Sequence, residues 1–108
     1  AGFFFQPPQT YDLDAVRPKW TAAKNLFFVE LIRAWQLRKA NDWESHSLET
    51  GFKEMAAAAA IKPGDLLQPL RIMLVGGRFG PAVFDIAALL GKDETIRRIS
   101  HVLSLLET

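Results

Sequence analysis

From Pro18 to Ala40 apolar side chains return at three- and four-residue steps, as Trp20, Ala23, Phe27, Leu31 and Ala34, with Phe28, Ile32 and Trp35 widening the stripe. That period predicts one long helix with a broad buried face. Its tail carries Arg33, Arg38 and Lys39, cations suited to the negative end of the helix dipole, before Asn41 and Asp42 break the pattern. A second helix is expected to start between Asp42 and Ser47, where several side chains can accept from free N–H groups. Its inward residues would be Leu48, Phe52, Met55, Ala56 and Ala59. Lys62-Pro63-Gly64-Asp65 reads as a turn, so the third helix is expected to be short, about Pro69 to Val75, and to stop at Gly76. Gly80 and Pro81 then open a fourth helix, with Val83 or Phe84, Ala87, Ala88 and Leu90 inward and Gly91 at its end. Asp93 is placed as the cap of the last helix, in which Ile96, Ile99, Leu103 and Leu106 repeat at helical spacing. No segment alternates over six residues as a half-buried strand does, so the fold class is all-α, a helical bundle of about five helices.

The start of the chain departs from this pattern. Phe3, Phe4 and Phe5 precede Pro7 and Pro8, whose fixed φ enforces extended backbone. Residues 1–17 therefore read as the end of a preceding helical subdomain and a connector, and residues 18–108 as the helical domain itself. The three Phe rings are expected to lack their native cover, as an apolar cluster at a cut end would. Ala1 and Gly2 resemble a cloning scar, and the absence of an initiating Met suggests a piece of a longer protein.

Composition narrows the class further. The chain has 108 residues, 49% of them apolar, enough for one domain with a real core. Thirteen Lys and Arg against twelve Asp and Glu leave a formal charge of +1, which neither announces nor excludes a polyanionic partner. The lack of Cys removes disulfides and cysteine-ligated zinc, and fits a cytoplasmic setting. No apolar run reaches the roughly 18 residues of a membrane span, so no membrane partner is expected.

Candidate chemistry gathers in QPLRIMLVGGRFGPAVF, residues 68–84. Gly76, Gly77 and Gly80 permit backbone angles that Cβ-bearing residues avoid, and Arg71 and Arg78 flank the bend. Such a corner can hold N–H groups and guanidinium donors towards an anion or a base edge, or it can be an ordinary turn between helices. A dinucleotide loop is excluded by spacing, since it needs G-x-G-x-x-G within a strand–helix–strand unit, and a P-loop by the absence of Gly-Lys-Ser or Gly-Lys-Thr. His46 and His101 lie in different helices without partners at ligand spacing, and read as surface residues. The carboxylates Asp12, Asp14, Glu44, Glu49, Asp93 and Glu94 cluster near helix starts, where capping explains them better than acid–base chemistry. Trp20, Phe27, Phe28, Trp35, Trp43 and Phe52 fall at helical spacing and read as core, while Arg97 and Arg98 read as a solvated face.

Taken together, Trp43, Lys62 to Gly64, Gln68 to Arg71, Gly76, Gly80 with Pro81, Val83 with Phe84, Leu90 to Lys92 and Arg98 with Ile99 resemble the carboxyl-terminal anticodon-binding region of bacterial-type glutamyl-tRNA synthetases. The likeness is strong over residues 43–108 and loose before them. It implies a cage of helices that binds glutamate tRNA through the anticodon loop, attached to a class I catalytic domain that activates glutamate with ATP and Mg2+. It also implies that the piece itself carries no catalytic site, metal or cofactor, and that the protein is a cytoplasmic monomer. The family's anticodon-facing positions carry over to Arg71, Gly80, Pro81, Val83 and Phe84, with Gln68 and Arg78 beside them. Gly80 departs from the family, which offers a Ser or Thr hydroxyl there. Whether the parent also charges glutamine tRNA stays open, because the deciding Arg lies upstream. The alternative is a helical protein-interaction module whose aromatic surface binds a partner helix, for which exposed aromatics would speak.

Overall fold

The computed structural model describes Pro8, residues 10–77 and residues 80–106. The cluster Phe3 to Phe5 and Arg78 thus lie outside the described residues. Among those described there is no strand, and five α-helices form the bundle: α1 Ala22–Gln36, α2 Ser45–Ala58, α3 Pro63–Val75, α4 Val83–Leu90 and α5 Lys92–Leu106. Short 3-10 turns at Leu13–Ala15, Arg17–Lys19 and Ala40–Asp42 complete it.

Each helix starts where the chain supplies a cap or a stiff φ. The Thr21 hydroxyl accepts from the Lys24 N–H at 3.1 Å, which delays α1 beyond Pro18. Glu44 does the same for α2, accepting from the Ser47 N–H at 2.6 Å. In α3 the sequence reading is corrected. Pro63 stands at the first helical position, where its missing N–H costs nothing, so the stretch taken for a turn begins a helix of 13 residues and Pro69 lies inside it. α4 begins at Val83 with Ala82 as its cap residue, so Pro81 precedes the helix instead of opening it. α5 begins at Lys92, which puts Asp93 in the first turn and not at the cap.

The core is aromatic at its centre. Phe27 meets Phe28 and Phe52 edge to face, and Phe52 meets Phe84, at centroid distances of 5.3, 5.1 and 5.3 Å. Trp35, itself 1% exposed, meets Trp43 at 5.3 Å. Each such ring, once buried, contributes about 1.5–3 kcal/mol from its area and about 0.5–1.5 kcal/mol from ring geometry. Ala23 and Ala59, expected inward, are exposed, while Ile86, Thr95 and Val102 join the core instead.

Two long cations tie helix ends together. Lys92 donates to the carbonyls of Gln36 and Arg38, at 3.2 and 2.7 Å, so the last helix caps the end of the first. Arg38, past that end, donates to the Ser47 hydroxyl at 2.7 Å and to its carbonyl at 3.1 Å. In the stacked result α5 lies against α1 and α3, and α4 lies against α2, α3 and α5. The lead-in segment belongs to this body: Val16 is buried and Tyr11 and Leu13 pack on the core.

Candidate nucleic-acid interface

The corner between α3 and α4 is built from a stop, a strut and a clasp. The stop is Gly76, at φ 84°, which closes α3 with its N–H on the Ile72 carbonyl at 2.8 Å. A Cβ on Gly76 would stand 2.5 Å from the Thr10 carbonyl and 2.9 Å from Pro8 Cβ, so the lead-in segment presses directly on this glycine. The Asp12 N–H, in turn, donates to the Gly76 carbonyl at 2.8 Å.

The strut is Arg98, and here the expectation of a solvated Arg97–Arg98 face is corrected. Arg98 is 1% exposed. Its Nη1 donates to the Leu74 carbonyl at 2.7 Å and its Nε to Glu94 at 2.6 Å, which fixes α5 behind the last turn of α3. Arg97 alone is exposed, and it closes a second bond onto Glu94 at 2.6 Å. That bond, with Arg98 behind it, outweighs burial and holds the Glu94 carboxyl below its usual 4.5. The pattern of Thr95, Ile99, Val102 and Leu103 would have placed Arg98 inside, since it falls at the same three- and four-residue steps.

The clasp is Arg71, half-buried on α3, whose Nη1 donates to the Pro81 carbonyl in the loop ahead of α4. Among the described residues that carbonyl is its one acceptor, and no carboxylate neutralises it. Gly80 sits beneath the guanidinium at φ 147°, and a Cβ there would lie 3.5 Å from Nη1. Space therefore permits a side chain at Gly80, but the backbone angle does not favour one. Gln68, exposed one turn earlier, shares the face of Arg71.

Arg71, Gly80, Pro81 and, along the helix, Gln68 are thus brought together. Val83 and Phe84 are not presented in the same way, for both are 5% exposed and point into the core. Only their main chain, in the first turn of α4, is left towards the corner. The helix has no side-chain cap there, and Asp85 in its first turn is engaged by the Ser45 hydroxyl at 2.5 Å. His46 and His101 are exposed, as expected, the latter against the Tyr11 ring at 5.7 Å. None of Trp20, Phe27, Phe28, Trp35, Trp43 and Phe52 is exposed, so the feature that would mark a partner-helix groove is missing from them. No described helix is long and apolar enough to cross a membrane.

Comparison with known proteins bears on the family and the fold. A glutamate–tRNA ligase of Flavobacterium johnsoniae is 38% identical over 104 residues, 96% of this chain and 20% of its own length. That of Chlorobium phaeobacteroides is 37% identical over 99 residues, 92% of this chain and 19% of its own length. The crystal structure of a glutamate tRNA ligase from Elizabethkingia meningosepticum, in complex with its amino acid, superposes with a TM-score of 0.85 at 30% identity, over 97% of this chain and 20% of that one. The chain therefore spans about a fifth of these relatives. The family model for the anticodon binding domain matches residues 1–103, and the chain belongs to that family.

Proposed function

We propose that this chain is the tRNA-recognising module of a glutamate–tRNA ligase, and that it positions glutamate tRNA by its anticodon loop for a catalytic domain elsewhere in the protein. The observation that carries the reading is the clasped corner: an uncompensated guanidinium, held at a fixed place by the Pro81 carbonyl, with Gln68 on the same face. A planar fork so placed can donate to the edge of an unstacked loop base. The helices from α1 onwards form the body of the module, and the lead-in from Thr10 to Val16 packs on it as part of the same unit. Glutamate activation with ATP and Mg2+ belongs to the catalytic domain, and the whole acts as a cytoplasmic monomer.

The test is a titration of the 108-residue chain with an RNA stem-loop carrying the glutamate anticodon, against the same stem with a scrambled loop. Binding is expected to be weak and to fall with salt, because a nearly neutral domain makes few phosphate contacts. Arg71→Ala should cost roughly 1–3 kcal/mol on the cognate loop if the guanidinium reads a base. Lys can still reach a carbonyl but lacks the fork, so Arg71→Lys should behave like Ala in recognition and like wild type in melting. An Arg71→Ala variant that melts normally and binds the cognate loop as wild type does would overturn the assignment.

A further inference from the structure

Beside the corner, a small cleft opens between the lead-in segment, the start of α1 and the start of α3. Its polar walls are Lys19, Lys24, Asp65 and Gln68, with Trp20 behind. Lys24 stands in the first turn of α1, at the positive end of the helix dipole, where a cation costs stability. Its ammonium donates to the Lys19 carbonyl at 3.0 Å, which draws the two lysine residues together. Among the described residues no carboxylate forms an ion pair with either, although Asp65 lines the same cleft. Several other cations of the chain are engaged: Lys53 with Glu49, Arg97 and Arg98 with Glu94, Lys92 with helix-end carbonyls. Lys24 thus rests on a main-chain carbonyl at an unfavourable helix end, while the exposed Lys19 side chain has no described partner in the same concavity.

Gln68 joins this cleft to the corner. It lines the cleft, and Arg71 follows one helical turn later on the same face, so lysines, amide and guanidinium form one track ending at Pro81. We infer that Lys19 and Lys24 take the sugar-phosphate backbone of the RNA strand whose bases reach Arg71; the inference rests on the reading of the corner given above. The cleft fixes where the strand runs, and the corner reads what it carries.

Such a division has a measurable signature. Phosphate contacts set the salt dependence and are blind to sequence, whereas a base contact is not. In the 108-residue chain, the double variant Lys19→Ala/Lys24→Ala should lose the same factor of affinity for the glutamate-anticodon stem-loop and for the scrambled loop. Its slope of log affinity against log salt should fall by about 1.4, near 0.7 for each single-strand phosphate released. Lys19→Arg/Lys24→Arg should restore the slope with the charge, and Asp65→Asn should strengthen binding to both loops. Wild type that discriminates the loops while the double Ala variant keeps the full slope would overturn the lysine assignment and leave the corner reading standing. Loss on the cognate loop alone would likewise overturn it, by making the lysines base readers. Wild type that fails to discriminate, or does not bind, would remove the corner reading and this inference with it.

Discussion

Two arginines, one on α3 and one on α5, each grip a main-chain carbonyl at the corner between α3 and α4, and their surroundings differ in one respect that decides their use. Arg98, 1% exposed, faces Leu74 and is neutralised by Glu94. Arg71, half-buried, faces Pro81 and has no described carboxylate against it. A buried charge must be compensated inside the protein, which commits Arg98 to the fold. An uncompensated guanidinium at a water-accessible corner keeps its charge and its remaining donors for a ligand. The same residue type, on the same kind of acceptor, thus serves as strut in one place and as clasp in the other.

The largest effect that would break this contrast is on the strut. Arg98→Ala empties a fully buried site and leaves the Leu74 carbonyl without its donor, and should cost roughly 2–5 kcal/mol, the range for truncating a buried side chain. Urea denaturation measures it. A loss under about 1 kcal/mol, no more than a surface substitution, would make the two arginines equivalent.

Next come the glycines that shape the corner. Gly76→Ala meets both a left-handed backbone, worth about 1–2 kcal/mol, and the Thr10 carbonyl at 2.5 Å from the new Cβ. It should therefore lower stability by about 2–3 kcal/mol and free the Asp12 amide, whose acceptor is the Gly76 carbonyl, to exchange with solvent. Unchanged protection of that amide would show that the lead-in segment does not depend on this contact. Gly80→Ser, which from sequence promised a restored hydroxyl, is held at φ 147° and should instead lose on the order of 1 kcal/mol. A more stable Gly80→Ser protein would show that this loop adapts freely.

These sites also mark what the sequence could and could not convey. The 3.6-residue period was enough for the large buried residues of α1 and α2, because Phe27, Leu31, Leu48 and Phe52 leave no other phase, but not for Ala23 and Ala59, which are exposed. Gly76 was legible as a stop, since a left-handed terminus and a following bend both ask for glycine. The start of α3 was not, because Pro-Gly-Asp suits a turn as well as a first helical turn and only tertiary contacts choose between them. Whether Arg97 or Arg98 turned inward depended on the phase of α5, which Ile96 and Leu106 blur and Thr95 and Val102 settle. For the corner, composition announced glycine and arginine together. The grip of Arg71 on Pro81 and the burial of Val83 and Phe84 required the helices to be in place.

The smallest expected effect sharpens the contrast by pH. Hydrogen bonding from Arg97, and then from Arg98, holds the folded Glu94 carboxyl below its ordinary 4.5. A carboxyl lowered on folding stabilises the protein above its unfolded value, and that stability is lost as pH falls through the lowered folded value. Arg98 remains charged throughout, so protonation leaves the guanidinium buried without its carboxylate, although water reaches Glu94, at 27% exposure, and softens the loss. The gap in stability between wild type and Glu94→Gln should be on the order of 1 kcal/mol at pH 7 and should shrink steadily below about pH 4.5. Melting curves from pH 7 to pH 3 measure it, and a gap that stays constant over that range would mean that the Glu94 charge contributes nothing to the strut. Arg71 faces no described carboxylate, so Glu94→Gln should leave the discrimination between cognate and scrambled RNA loops unchanged at neutral pH. Discrimination that falls in step with stability would instead show that the corner and the strut are one unit.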